Sequence, residues 1–303
     1  MREPYAGLAL LRKPEGITSF KALFPVKREL GSGKVGHAGT LDRFASGLLI
    51  ALIGSYSRLA PYVMSGEKRY RGIVAFGVET ETLDPEGDEV AAAPAPNRER
   101  LEAALALFRG FIMQRPPAYS AVHVDGERAY ERALRGEEPE LKERRVEIRE
   151  LSLLSYEDER ALIEVRCSSG TYIRSLARDI ALACGSRAHL AALERLSIGP
   201  FLVKDAVAPD AFNPAQNLRP LTPADAASLG LRVLGLEAGA LAIRFANGNK
   251  LTPSAFSVLD GIGEAIGQDA AVFEEGNGLL GIIRLEAEGP RYKTATPRRR
   301  GAS

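Results

Sequence analysis

Residues 144–170, RRVEIRELSLLSYEDERALIEVRCSSG, constrain the fold more than any other stretch. Apolar and polar residues alternate on both sides of the polar EDER, which predicts two strands around a turn. RYRGIVAFGVET alternates in the same way. It puts Tyr70, Val74, Phe76 and Val78 on one side, and the turn residues DPEG follow at 84–87. Helix-period segments are interspersed. NRERLEAALALFRG places Leu101, Leu105 and Phe108 on one face and ends at Gly110, a C-cap residue. TYIRSLARDIALACG predicts a helix stopped by Gly185. AHLAALERLSIG predicts a second, short helix, with Leu190, Leu193 and Leu196 at compatible spacing. No regular strand–helix–strand rhythm repeats, so the pattern favours α+β over a doubly wound parallel sheet.

Beyond about Asn213 the chain becomes rich in Pro and Ala, which predicts a tether or peripheral helix up to about Leu234. The short apolar runs ALAIRF, AAVFEE and LLGIIRL then predict a small β-rich module. The expected organisation is one large domain over 1–236 and a module over 237–303. No apolar run reaches the ~18 residues of a membrane span. The N-terminal MREPYAGLALLRKP has too short an apolar stretch for a signal peptide. With only Cys167 and Cys184, the chain is expected in a reducing cytoplasm. His37, His123 and His189 lie too far apart in sequence to suggest zinc.

The net charge of +1 argues against a histone-like binder. Cations are nevertheless clustered at Lys21, Lys27, Arg28 and Lys34, around Tyr70 (Lys68, Arg69, Arg71), and in the tail RYKTATPRRRGAS. Such patches fit a nucleic-acid enzyme or an ordinary solvated surface. GSGKVG fails the phosphate-loop pattern, because Arg28 and Val35 stand where Gly and Ser or Thr are needed. In GHAGTLDRFASGLL, Asp42 lies on a glycine-rich loop before an apolar run, a way to hold one carboxylate still while a substrate approaches closely. KPEGITS reads as an ordered turn. QRPPAYSAVHVDGERAYERA reads as a loop or arm over a site, or as a surface insertion. In RCSSGTYIRSLARDI, Arg174 and Arg178 share a helical face and could pair with a carboxylate, a phosphate, or structurally with Asp179.

KPEGITS, GKVGHAGTLD, FASGLL, KRYRG, QRPPAYSA, GERAYERA and CSSGTYIRSLARDI, in this order and spacing, resemble the TruB family, the bacterial tRNA pseudouridine-55 synthases. The resemblance runs from Leu11 to about Pro297. It implies a pseudouridine-synthase fold, with a mixed, largely antiparallel sheet flanked by helices and a small C-terminal PUA-like module. It implies isomerisation of uridine 55 in the T-loop of tRNA, with the nucleotide turned out into a pocket and no metal or organic cofactor. Asp42 matches the catalytic aspartate, and Arg174 its partner in an expected bidentate pair. Tyr70 matches the tyrosine that stacks on the target base and assists proton transfer. His37, Tyr172, Leu193 and Lys13 fall at substrate-contacting positions. The segment at about 114–140 matches the arm that closes over the tRNA loop. The implied enzyme is a cytoplasmic monomer that needs no guide RNA.

Four positions depart from the family pattern: Arg43 for proline, His123 for lysine, Leu134 for arginine and Ser169 for lysine. Arg43 could take an RNA phosphate, or face solvent or a surface acid. The alternatives to the main reading are a non-catalytic tRNA-binding folding chaperone and the same isomerisation on another RNA.

Overall fold

The computed structural model describes residues 5–295, apart from 32–33, 121–122, 125–126, 129–131, 133–134, 136–140, 250, 259–266, 276–277 and 288. The expected arm and the basic tail therefore fall largely outside the described residues, and so does Leu134.

A nine-stranded sheet forms the larger unit. Its members in chain order are β1 (Gly7–Lys13), β2 (Val35–Ala38), β3 (Ser46–Ile53) and β4 (Lys68–Phe76). A small hairpin of β5 (Val78–Thr80) and β6 (Glu89–Ala92) follows, then β7 (Gly110–Gln114). After the short pair β8 (His123–Val124) and β9 (Glu127–Arg128) come β10 (Arg144–Glu157), β11 (Arg160–Cys167), β12 (Ala188–Ile198) and β13 (Phe201–Leu202). The order across the sheet is β1-β3-β12-β4-β11-β10-β7, with β2 on β3 and β13 on β12. Pairing is antiparallel except between β12 and β3. The EDER turn closes β10 onto β11 with Asp158 and Glu159 at φ 49° and 60°, the left-handed geometry of a tight hairpin.

AHLAALERLSIG is a strand, β12, and not the expected helix. Its buried residues are Ala188, Leu190, Leu193, Arg195 and Ile198. The register against β4 slips between Leu190 and Ala192 and again between Arg195 and Ser197. Each bulge adds one residue and stretches a period of two into a spacing of three, which mimics a helix. Membership in a central strand overrides the weak helical preference of the Ala- and Leu-rich segment.

Short helices α1 (Phe24–Glu29) and α2 (Ala60–Ser65) flank the β1–β3 end. Helix α3 (Arg98–Leu107) is capped by Asn97, which accepts from Arg100 N at 2.9 Å. It stops at Leu107, so Gly110, at φ +84°, opens β7 and does not cap the helix. Helix α4 (Ile173–Ala183) ends before Gly185 at φ +68°, as expected. Helices α3 and α4 bury Leu101, Leu105, Leu176 and Ile180 against Val74, Ile163, Val165 and Leu190 of the sheet.

The Pro- and Ala-rich segment holds α5 (Pro214–Asn217) and α6 (Pro223–Ser228). Five strands then form a second sheet: β14 (Arg232–Leu236), β15 (Phe256–Val258), β16 (Asp269–Glu274), β17 (Leu279–Glu286) and β18 (Gly289–Ala295). β14 pairs with β15 and β16, so this sheet begins at Arg232, before the expected boundary at 236/237. ALAIRF, expected in a strand, lies in helix α7 (Ala240–Ala246), which buries Ala242 and Phe245 three positions apart on one face. The two units share a core. Ala271, Phe273, Leu279 and Ile282 pack in one cluster with Leu8, Tyr56, Leu59 and Val63, and Tyr62 Oη donates to Asp269 Oδ2 at 2.9 Å. Among the described residues no helix is long and apolar enough to cross a membrane.

Candidate active site

Asp42 lies on the connection between β2 and β3, half-exposed on the lining of a pocket. The turn KPEGITS holds this loop by its backbone. Ser19 Oγ accepts from Leu41 N at 2.8 Å and donates to Leu41 O at 3.0 Å. Gly16 N donates to Arg43 O at 2.9 Å. Lys13 donates to Pro14 O at 2.9 Å, Ile17 O at 2.7 Å and Arg43 O at 3.4 Å, and is fully buried. Burial pushes its amine down to about 8. Its ammonium contacts three carbonyls, so Lys13 braces the loop from beneath. Arg43 donates from Nε to Gly16 O at 3.1 Å and lies 3.6 Å from Glu86 Oε1. This is the surface-acid contact of its open roles.

Arg174, on the first turn of α4, places Nε 2.9 Å from Asp42 Oδ2. Its other two nitrogens are turned away: Nη1 contacts Thr82 O at 2.7 Å and Asp84 Oδ2 at 3.2 Å, and Nη2 donates to Tyr119 O at 3.0 Å. The contact with Asp42 is therefore single and not bidentate, because the fork is taken up by groups that anchor the arginine. Asp84 is buried and also accepts from Thr82 Oγ1 at 2.5 Å and Glu86 N at 3.0 Å. Burial raises the Asp42 carboxyl above the usual carboxylate range, with Asp84 adding to the rise and Arg174 and Lys13 opposing it.

Tyr70, on β4, lines the pocket and is almost fully buried. Burial raises its phenol, opposed by the nearby positive charge of Arg195. Arg195 is 2% exposed and has no carboxylate at ion-pair distance among the described residues. It donates to Leu48 O at 2.8 Å, Gly39 O at 2.9 Å and Thr40 O at 3.4 Å, tying β12 to the loop before Asp42. Leu193, Tyr172 and Lys68 complete the nearby lining. Lys68 donates to the carbonyls of Met64 and Gly66, and burial lowers its amine to about 8. Buried Gln114 accepts from Tyr172 N at 2.8 Å and donates to Tyr172 O at 3.1 Å, which fixes the start of α4. The cavity is about 290 Å³, room for one nucleotide-sized group.

The structure thus brings Asp42, Arg174, Tyr70, Leu193 and Tyr172 together and puts Lys13 beneath them. His37, on β2, stands apart from the lining, half-buried, its Nδ1 without a hydrogen-bond partner. Arg178 pairs with Asp179 at 2.8 Å, the structural role. The cations beside Tyr70 are neutralised on the opposite face of the sheet: Arg69 and Arg71 lie 2.7 and 2.9 Å from Glu164. Sequence reasoning missed Asp84, taken as a turn residue, and Arg195, hidden in the segment read as a helix. A charged residue alternating with Leu193 on one strand face was the available signal for Arg195.

The family model for the TruB family pseudouridylate synthase N-terminal domain matches residues 27–173, ending one residue before Arg174. The chain is 46% identical over 202 residues to a protein of Borreliella afzelii (strain PKo) named tRNA pseudouridine synthase B, covering 66% of this chain and 72% of that one. A protein of the same name from Gluconacetobacter diazotrophicus is 41% identical over 222 residues, covering 73% and 72%. Among solved structures, a Cbf5-Nop10-Gar1 complex aligns at TM-score 0.71 and 23% identity, covering 96% of this chain and 85% of that one. An H/ACA RNP bound to a substrate RNA containing 2'-deoxyuridine aligns at TM-score 0.71 and 20% identity, covering 97% and 86%. At those identities the likeness is one of fold.

Proposed function

The chain belongs to the TruB family of pseudouridylate synthases, and from that premise we propose that it converts uridine 55 in the T-loop of tRNA to pseudouridine, with Asp42 as the reacting carboxylate. The observation that carries the assignment of Asp42 is its single contact with Arg174, 2.9 Å at Oδ2, on the lining of a nucleotide-sized pocket. Oδ1 accepts no hydrogen bond among the described residues, so one oxygen remains free toward the substrate.

In the reaction the glycosidic bond moves from N1 to C5, C5 loses its proton and N1 gains one. The target nucleotide must leave its stack, at a cost of a few kcal/mol. Asp42 can attack the ribose C1′, attack C6 of the base, or assist loss of the C2′ proton, and each route needs an ionised oxygen. Arg174 favours that ion and aims it. Tyr70, on the pocket lining, offers a ring face for the base and a hydroxyl near Arg195. Leu193 packs against the base and Tyr172 forms the opposite lining.

The named relatives at 41–46% identity support action on tRNA. We assign the chain a guide-independent, cytoplasmic, monomeric mode of action, with residues at about 114–140 as the arm over the RNA, 237–303 as the core of a PUA-like module, and His37 as a contact of the displaced loop. The test is tRNA tritiated at uridine C5, incubated with the pure chain alone. Tritium should leave position 55 only, and Asp42→Asn should release none while binding tRNA within several-fold of the parent. Multiple turnover by Asp42→Asn would remove Asp42 from its role.

A further inference from the structure

Four cations line the pocket, Lys68, Arg144, Arg174 and Arg195, against one carboxylate, Asp42. Arg174 is matched by Asp42 and Asp84. Lys68 and Arg195 donate to backbone carbonyls. Arg144, the first residue of β10, is different. Its guanidinium lies over the Tyr172 ring, 4.7 Å from the ring centre. Its Nε and Nη2 are buried from solvent and have no hydrogen-bond partner among the described residues. It makes no ion pair among the described residues. Ser120, after Tyr119 on the same lining, is 5% exposed, and its Oγ is likewise buried and unpartnered.

Buried donors without partners are costly and uncommon. Nε–H and the adjacent Nη2–H are the two parallel donors of the guanidinium side edge, the spacing that two oxygens of a phosphate accept together. The Ser120 hydroxyl on the same lining offers a third donor. We infer that Arg144 and Ser120 form a phosphate-binding subsite of the pocket, which takes a phosphodiester of the substrate RNA and so seats the nucleotide over Asp42. The inference rests on the tRNA reading given above. The charge excess of the lining fits a polyanion, and the guanidinium already lies over the Tyr172 ring.

The test uses the full chain and synthetic T-arm hairpins, each carrying a neutral methylphosphonate at one loop phosphate. One position should weaken binding by the parent about tenfold, as expected for a lost charge-assisted pair. Arg144→Gln should weaken binding of the unmodified hairpin to a similar extent and show no further loss at that position. Its salt slope should fall by about 0.7–0.9, the share of one phosphate. Arg144→Lys should keep the slope but recover little of the affinity, and Ser120→Ala should cost a few-fold. The subsite is refuted if no loop methylphosphonate weakens the parent, a measurement that needs no variant to fold. It is refuted also if the losses from Arg144→Gln and methylphosphonate add fully at every position, or if only base substitutions affect Arg144→Gln and parent differently. Failure of the parent to release tritium from the hairpin and from whole tRNA would instead refute the tRNA reading.

Discussion

Asp42 is gripped on one oxygen by an arginine whose remaining nitrogens are anchored elsewhere. In its proposed role the ionised form reacts, and burial raises its pKa. The rate therefore falls as pH drops through that raised value, so the acid limb of kcat/KM should lie above the usual ~4 of a carboxylic acid. A limb at or below 4 would count against Asp42 as the reacting carboxylate. Asp84→Asn keeps the shape and removes the charge that anchors Nη1. Arg174 would then lose its aim, and kcat should fall on the order of 10- to 100-fold, the cost of a small misplacement, while the Kd for tRNA stays within a few-fold. Equal losses in kcat and affinity would show that Asp84 acts through binding. Arg43 is mostly exposed and paired with Glu86, an interaction worth below about 1 kcal/mol. Arg43→Ala should leave the salt slope of tRNA binding unchanged, and a fall of about one unit would reveal a phosphate contact.

Strand β12 is one of the elements that build the site. It supplies Leu193 and Arg195, and its parallel contact with β3 places Gly47 against Arg195. A Cβ at Gly47 would lie 2.4 Å from Arg195 O and 2.6 Å from Arg195 N, at a φ of +104° that side chains resist. Neither obstacle can yield, because both atoms are backbone in a central strand. Gly47→Ala should cost about 3 kcal/mol or more through strain and lost pairing and should lower the Tm by several degrees. A variant with the parent's Tm would mean that the two strands separate at little cost. The glycines of FASGLL and the glycine-rich loop thus differ in purpose: Gly47 allows close approach of strands, and the preceding loop presents Asp42.

At the scale of the whole molecule, the C-terminal sheet is joined to the larger unit by a continuous apolar cluster. Phe273, Leu279 and Ile282 belong to it, and each is worth about 1.5–3 kcal/mol on burial. Ending the chain after Leu236 strips these residues and leaves β14 without β15 and β16. The truncated chain should lose several kcal/mol of stability, measured by urea unfolding, beyond any loss of RNA contacts. The intact chain should unfold in one transition. Separate transitions for the two sheets would show that the shared cluster contributes little.

What the sequence determined on its own is local or compositional. The β10–β11 hairpin, helices α3 and α4, strands β16 and β17 and the loop bearing Asp42 follow from alternation, capping and turn residues, which act over a few positions. Asp42, Arg174 and Tyr70 were legible because their motifs are distinctive. The tertiary structure decided what depends on partners far along the chain. Two bulges made β12 a strand, since pairing with β4 outweighed a three-residue spacing that reads as helical. α7 took a run expected as a strand, because its apolar face packs on the second sheet. Lys13 became a strut and Asp84 an anchor because the backbone carbonyls and the guanidinium that bind them come from other segments. Arg144 and Ser120 acquired unpartnered donors only where β10 and the loop after β7 meet at the pocket. A side chain's partners are set by three-dimensional proximity, and no one-dimensional pattern encodes proximity between positions so far apart.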